Sequence, residues 1–315
     1  METRIEIQQY IPALQPEWDY FIANSRNGTF LFFRNYMDYH SDRFIDNSLL
    51  FRYKGKLIAV LPANREGDVL WSHQGLTYGG LVLSSKCTAD RVLNIFSLLF
   101  SWLSERGFSK LVYKCVPDIY HRYPSQEDLY ALFRNNARLV ARNLSTTVSI
   151  PCRIPFSQLR RRGIKRALSC GIVVQESSDL ESFWRVLSEN LSDRYNRLPV
   201  HTVEEMSLLK GRFPNNIRLF TACKGERVVA GCVIFEMDEW VHSQYISASP
   251  EGKEFGALDL LFHYLITDRY SDRKVFDFGQ STERGSLVRD SCAEEMEPAL
   301  ESCMKIQRSS GDNGK

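Results

Sequence analysis

Short apolar segments separated by glycine and acidic turns dominate residues 48–74, which read SLLFRYKGKLIAVLPANREGDVLWSHQ. Lys54-Gly55 supplies the positive φ angle that a tight hairpin needs, and the flanking segments are rich in strand-forming residues. This pattern predicts a three-stranded antiparallel meander. A very similar pattern returns at residues 217–247, which read IRLFTACKGERVVAGCVIFEMDEWVHSQYIS.

A nearly constant offset relates the two segments. Gly225 follows Gly55 by 170 positions. Trp240 follows Trp71, and His242 follows His73, each by 169 positions. Three features whose offsets agree to within one position indicate an internal repeat. A repeat of this kind determines how the fold is interpreted.

A helix and a further strand are predicted after each meander. Thr88 is a good N-cap for a helix whose apolar positions recur at steps of three and four and which stops at Gly107; the strand SKLVYKC follows. In the second copy, Gly256 opens the helix GALDLLFHYLITDRY, and KVFDFG is the next strand. Each copy is therefore predicted to have the order β-β-β-α-β.

Further helices precede both meanders. Ser178-x-x-Glu181 and Thr202-x-x-Glu205 have capping-box spacing and predict helices over about residues 179–193 and 203–212. The remaining predicted helices are Pro16 to Ser25, Arg34 to His40, and Ser125 to about Arg138. We predict a first unit over residues 1–145 and a second over residues 146–283.

Composition excludes several classes of protein. Of 315 residues, 43% are hydrophobic and 25% charged, which excludes collagen-like and wholly disordered chains. Forty Lys and Arg against 38 Asp and Glu leave a charge of +2, too small for a whole-molecule footprint on nucleic acid or an anionic membrane. The longest apolar stretch, residues 92–103, is shorter than the roughly 20 residues that span a bilayer.

The cysteines indicate a reducing compartment. Eight are dispersed along the chain, with no Cys-x-x-Cys pair and no histidine at metal-ligand spacing, which argues against a zinc site or a redox dithiol. The opening residues, METRIEIQQYIPALQPEW, lack the apolar stretch of a signal peptide. We therefore expect a cytoplasmic protein without a metal or a membrane span.

Taken together, these features resemble a known family of bacterial proteins. The residue blocks that carry the resemblance are HQGLTYGGL at 73–81, RRRGIKRALSCGI at 160–172, RLPVHT at 197–202, HSQYIS at 242–247, GALDLLF at 256–262 and FDFGQSTE at 276–283. The family is the FemAB-like branch of the GNAT acyltransferase superfamily. The resemblance implies an α/β (α+β) fold of two tandem GNAT-like acyl-CoA N-acyltransferase units, each a mixed, mainly antiparallel sheet flanked by helices.

The resemblance also implies acyl transfer to an amine in a cleft of the second unit. The donor expected from it is acetyl-CoA or another acyl-CoA, with the coenzyme's diphosphate at a helix start that carries Lys253, Gly256 and Ala257. Leu258 fills a position that the family's loop keeps small. Gly256 can equally be a helix-entry glycine, and that alternative stays open.

Two residues are candidates for the general base, which an amine needs because only its unprotonated form attacks. His242 suits the role since an ordinary histidine titrates near neutral pH, and Glu236 at the end of the preceding strand is the second candidate. A hydrogen-bonded structural histidine is the alternative interpretation. Strand alternation places His242 on one face with Gln244 and Ile246, and Tyr245 on the other.

Acceptor binding is predicted at the loop between the two capped helices. The substrate-binding candidates are Arg194, Arg197, His201, Gln244 and Tyr245. Arginine forks suit carboxylate or phosphate groups, although a solvated loop would have a similar composition. The expected acceptor is a small-molecule or cell-envelope amine.

Five cations within residues 160–166 leave other functions open. They form a solvated helix surface or bind an acidic ligand, such as a nucleotide phosphate or a tRNA backbone. Fem-type transfer from aminoacyl-tRNA and a non-catalytic binding scaffold are therefore alternatives to acyl-CoA use.

The end of the chain is predicted to depart from the family pattern. Residues 284–315 lack aromatic side chains and sustained alternation, so we expect a polar tail, disordered or loosely helical. Such a tail would leave an open sheet edge, through which a homodimer could form.

Overall fold

The computed structural model describes residues 5–280 and 299–309; for residues 194, 195, 280 and 299–309 it describes the backbone only. The chain divides into two compact units, residues 1–143 with 301–315, and residues 144–300. The second unit thus begins two residues before the position expected from the sequence.

The first unit contains eight complete strands and four helices within its described residues. In chain order they are β1 (Ile5–Gln9), α1 (Gln15–Asn24), α2 (Arg34–Met37), β2 (Ile45–Asp46), β3 (Leu49–Tyr53), β4 (Lys56–Leu61), β5 (Asn64–Glu66), β6 (Val69–Trp71), β7 (Val82–Leu83), α3 (Ala89–Glu105), β8 (Lys110–Lys114) and α4 (Glu127–Arg134). β9 (Arg138–Ser149) crosses the division into the second unit.

The first predicted meander forms, but it is divided into shorter strands. The β3–β4 hairpin turns at Lys54 and Gly55, both with positive φ, as predicted. Pro62 interrupts the next strand because it has no N–H to donate. β4 therefore joins the sheet β1-β3-β4-β7, while β5 and β6 pair in a second sheet in which β6 runs parallel to β8. The apolar face of α3 is buried in this unit's core.

The second unit follows the predicted order closely. Its elements are α5 (Gln158–Ser169), β10 (Ile172–Ser177), α6 (Leu180–Tyr195), α7 (Val203–Arg212), β11 (Ile217–Lys224), β12 (Arg227–Glu236), β13 (Trp240–Ala248), α8 (Pro250–Phe255), α9 (Ala257–Tyr264) and β14 (Val275–Gln280). Thr202 and Glu205 form the predicted capping box of α7. The cap of α6 is Asp179, which accepts the Ser182 N–H, so the predicted Ser178 cap was wrong by one residue.

The strands of the second unit are ordered β10-β11-β12-β13-β14-β9. All neighbours are antiparallel except β13 and β14, which are parallel. α9 buries Leu261 and Phe262 against one face of this sheet, in a cluster with Phe220 and Ile234. On the other face, the Ser247 hydroxyl donates to the carbonyl of Val186 in α6.

The predicted open edge beside β14 is occupied. Residues Ser145 to Ser149 of β9 pair antiparallel with β14, so the strand that completes this edge lies at the start of the unit and not after β14. Sequence reasoning placed the domain boundary inside this strand and so missed its pairing. The argument for a homodimer through that edge therefore loses its basis.

The predicted tail lies mostly outside the described residues. Where the backbone is described, Ala299–Ser309 form β15, which pairs antiparallel with β8 through residues 305–309. The expectation of a disordered or loosely helical segment was wrong over this range, because unpaired backbone groups of a neighbouring strand can order a polar segment. No helix within the described residues is long and apolar enough to cross a membrane.

Candidate active site

The pairing between β13 and β14 is short within the described residues. Their parallel register runs from Trp240 opposite Val275 to His242 opposite Asp277, which is the last matched pair. Strands that cease to pair leave backbone hydrogen-bonding groups along both sides of an opening. His242 and Asp277 therefore lie at the end of the paired stretch, next to such backbone groups.

These two side chains form a buried hydrogen-bonded pair. The Nδ1 atom of His242 lies 2.6 Å from Oδ2 of Asp277, and both residues are less than one-tenth exposed. An ionised carboxylate accepts only, so Nδ1 carries the proton in this hydrogen bond. The carboxylate thereby fixes the tautomer in which Nε2 is the basic nitrogen of the ring.

Asp277 is itself held in place by its neighbours. The N–H of Gly279 donates to Oδ1 at 2.9 Å, and the Ser145 hydroxyl lies 3.1 Å from the same oxygen. Ser145 belongs to β9, whose pairing with β14 brings it to this position. The carboxylate that orients His242 is thus oriented by two further groups.

Gly279 meets two requirements that favour glycine. Its φ angle is +81°, and a Cβ atom at this position would lie 3.1 Å from Cε1 of His242. The first requirement disfavours any L side chain, and the second would displace the imidazole ring. Gly279 therefore permits the close approach of the strand end to His242.

A β-bulge changes which side chains share a face with His242. Ile234 is opposite Ser243 and Val233 is opposite Tyr245, so Gln244 is an extra residue in β13. Directly opposite residues point to the same side of a sheet, and His242 is opposite Phe235, two positions from Val233. His242 and Tyr245 consequently lie on one face, and the alternation predicted from sequence was wrong beyond the bulge.

Tyr245 connects this face to the predicted acceptor loop. Its hydroxyl lies 2.5 Å from Nδ1 of His201 and accepts the backbone N–H of His201 at 3.2 Å. Trp184 in α6 donates its indole N–H to the His201 carbonyl at 3.1 Å. The structure thus brings two acceptor candidates, His201 and Tyr245, together on the same sheet face as His242.

The other acceptor candidates differ in their surroundings. Arg197 is exposed, and its backbone N–H donates to the carbonyl of Leu191, which closes the end of α6. Gln244 is half-buried, and its Oε1 has no hydrogen-bond partner within the described residues. The side chain of Arg194 lies outside the described part of the structure.

Glu236, the second base candidate, is surrounded by cations. Its carboxylate accepts from the Tyr270 hydroxyl at 2.7 Å and from Arg269 at 3.2 Å, and Arg218 and Arg273 lie 3.6 and 3.7 Å away. Burial, followed by this hydrogen bond, raises the pKa of Tyr270. Such surroundings favour a carboxylate that anchors β12 to the residues after α9, rather than one that accepts a proton from substrate.

The predicted diphosphate site is covered by α5. Gly256 has a φ angle of +76°, but a Cβ atom there would lie 2.8 Å from the carbonyl oxygen of Gly163 in α5. Ala257 is fully buried. The Lys253 ammonium donates to the Asn190 side chain. These residues do not fit an open cradle for a coenzyme diphosphate, and Gly256 serves helix entry and close packing instead.

An ion pair connects α5 with α9. Arg160 lies 2.6 Å from Asp259 in the first turn of α9, and both side chains are about nine-tenths buried. One member of the predicted cationic run therefore has a structural partner. Arg161, Arg162, Lys165 and Arg166 remain exposed.

Sequence reasoning missed Asp277, Gly279 and Ser145 as site residues. The first two stand in the block FDFGQSTE, which carried the family resemblance, and the parallel pairing of β13 with the following strand would have placed Asp277 beside His242. No local sequence pattern identifies Ser145 as a site residue. No cluster of potential metal ligands occurs among the described residues.

Comparison with known proteins agrees with this geometry. The model of the GNAT acetyltransferase domain matches residues 157–284, which contain β10 to β14 and both members of the His242–Asp277 pair. No curated protein matches the chain in sequence.

Solved structures share the fold over nearly the whole chain. FemX matches with a TM-score of 0.64 at 10% identity, covering 96% of this chain and 97% of that one. L-PGS from Bacillus licheniformis matches with a TM-score of 0.62 at 12% identity, covering 96% and 93%. A tandem GNAT protein from the clavulanic acid biosynthesis pathway matches with a TM-score of 0.56 at 9% identity, covering 99% and 100%.

Residues 157–284 of the second unit thus match a GNAT acetyltransferase domain, which supports a transferase, and the chain shares the fold of a tandem GNAT protein. The predicted resemblance to GNAT acyltransferases is confirmed for these residues, and the predicted fold class is confirmed, with a fold that FemX shares.

Proposed function

We propose that the protein transfers an acyl group from an activated ester or thioester to a primary amine, with His242 as the general base. The observation that carries this proposal is the hydrogen bond from His242 to the buried Asp277 at the end of the pairing between β13 and β14. A histidine held in one tautomer is equipped to accept a proton on Nε2.

In the proposed reaction the amine nitrogen attacks the acyl carbonyl carbon and forms a C–N bond. The proton lost by the amine passes to Nε2 of His242, and the bond from the acyl carbon to the donor's sulfur or oxygen breaks. The departing thiolate or alkoxide then takes up one proton, which the imidazolium of His242 gives up directly or through solvent, and the neutral imidazole is restored. Asp277 stabilises the imidazolium that forms during the transfer and keeps its ring in place.

The β-bulge supplies a second element of the proposal. Gln244 is outside the ladder with β12, so its backbone groups are not committed to the regular pairing of the sheet. Bulges next to active sites re-aim backbone and side-chain groups toward bound ligands. We assign Gln244 to binding of the acyl carbonyl or the acceptor.

Acyl-CoA is the first proposed donor because the chain carries a GNAT domain. The covered start of α9 means that the coenzyme's diphosphate would not bind at Gly256 and Ala257. An aminoacyl ester of tRNA is the second candidate, favoured by the fold shared with FemX and by the exposed cations of α5.

A transfer assay with both donors tests the proposal. Purified protein would receive radiolabelled acetyl-CoA or radiolabelled aminoacyl-tRNA together with primary amines that include small molecules and cell-envelope precursors. We expect one donor to give labelled amide, and H242Q to lower its rate by about 100-fold or more. Thermal unfolding of the variant would verify that it is folded. A wild-type rate for H242Q would refute the role of His242.

The KM for the acceptor tests whether the loop between α6 and α7 binds the acceptor. We propose that Arg197 contributes to acceptor binding, so R197A should raise the acceptor's KM while leaving the donor's KM unchanged. R185A is a matched control, because Arg185 is an exposed arginine on the neighbouring helix α6. An acceptor KM unchanged by R197A would remove Arg197 from the site.

A further inference from the structure

A surface groove lies between the start of α5 and the end of α9. It has a volume of about 350 Å³ and is lined by Arg153, Pro155, Phe156, Arg161, Ile164, Lys165 and His263. This volume is within the range of small-molecule sites. None of these residues belongs to the candidate active site.

Two cations of the groove have no acidic ion-pair partner in the part of the chain that the structure describes. Residues 129–175 include nine basic residues and no Asp or Glu. Arg160 points inward and pairs with Asp259, whereas Arg161 and Lys165 form no ion pair with any described residue. Two cations whose charge is uncompensated, on one side of a helix, favour binding of an anion.

The remaining lining combines apolar and aromatic surface with a polar ring atom. Phe156 and His263 meet edge to face with centroids 5.4 Å apart. Nδ1 of His263 is buried and has no hydrogen-bond partner within the described residues. Pro155 and Ile164 contribute apolar surface to the wall of the groove. A ligand that fits must therefore carry negative charge on one part and a flat or apolar group on another.

We propose that this groove binds a nucleotide, with its phosphate on Arg161 and Lys165 and its base against Phe156 and Ile164. An aromatic wall suits a base because every base has a π-face, and arginine suits phosphate because its planar fork binds two oxygens. Of the two candidate donors, acyl-CoA carries a nucleotide at the end remote from its acyl group, and the groove would hold that end; this last step rests on the proposed function.

Calorimetry with adenosine 3′,5′-bisphosphate tests the site on the full chain. We expect binding to the wild type and at least a tenfold weaker Kd for the double variant R161Q/K165Q. The double variant R162Q/R166Q is the matched control, because it removes the same charge from exposed positions of α5 that do not line the groove. We expect it to change Kd less than twofold.

Further binding measurements distinguish the contribution of the base from that of the phosphate, and a small nucleotide from tRNA. F156A should weaken adenosine bisphosphate at least fivefold but leave inorganic pyrophosphate unchanged. H242Q should keep wild-type affinity, so failure of the catalytic proposal would not affect this result. Equal weakening by both double variants, or no binding of adenosine bisphosphate at millimolar concentration, would overturn the proposal. Binding of tRNA without binding of the small nucleotide would overturn it as well.

Discussion

His242 and Asp277 are directly opposite in two parallel strands, and their side chains meet at 2.6 Å where those strands cease to pair. Three properties of the fold, namely strand register, burial and the end of strand pairing, coincide at these two residues. The register brings the two residues together, burial strengthens the hydrogen bond, and the end of the pairing leaves backbone hydrogen-bonding groups beside the imidazole.

Replacement of Gly279 separates a catalytic effect from a backbone effect. G279A should lower kcat at least tenfold, because its Cβ would lie 3.1 Å from Cε1 of His242 and displace the ring. G225A is the control: its φ is also positive, +60°, but nothing lies within 4 Å of a Cβ there.

Both variants should lose about 1–2 kcal/mol of unfolding free energy from the left-handed backbone. Steady-state rates and denaturant unfolding of both variants provide the comparison. Equal losses of kcat in G279A and G225A would contradict the contact argument.

Glu236 should prove structural. E236Q removes the negative charge that accepts from Tyr270 and Arg269, so the free energy of unfolding should fall by about 2–4 kcal/mol. At a temperature where the variant stays folded, kcat should remain within twofold of the wild type. A drop of 100-fold in kcat without loss of stability would identify Glu236 as the base instead.

Asp128 gives the first unit a pH-dependent stability. Burial is the main cause that raises the pKa of this carboxyl to about 6, while the Tyr113 hydroxyl donates to it at 2.8 Å. The folded state therefore binds a proton more tightly than the unfolded state, whose carboxyl titrates near 3.8. This contribution favours folding most below that value, and it is lost as pH rises through 6.

The expected loss is about 3 kcal/mol for a difference of roughly two pKa units. D128N cannot ionise, so the difference in unfolding free energy between D128N and the wild type should shift in favour of D128N from pH 4 to pH 8. Denaturant titrations at both values measure it. A difference that stays constant across this range would contradict the raised pKa.

The order of elements in the second unit could be predicted from the sequence because local signals agreed with the fold. The capping box of Thr202 and Glu205 and the Gly225 turn each mark a boundary that the structure keeps. These signals depend on neighbours within a few positions.

The site geometry could not be predicted because it depends on pairing between distant residues. Gln244 adds one residue to β13, and no local pattern shows that alternation reverses there. Ser145 reaches Asp277 from 132 positions away through the β9–β14 pairing. The cover over Gly256 likewise comes from Gly163 on another helix.

A double-mutant cycle on transfer rates tests the central claim most directly. H242Q, D277N and the double variant would be compared with the wild type, with the donor that supports transfer. If Asp277 acts through His242, each single change lowers kcat by about 100-fold or more, and the double variant is no slower than H242Q. Effects that multiply, or a D277N rate equal to that of the wild type, would contradict a catalytic His242–Asp277 pair.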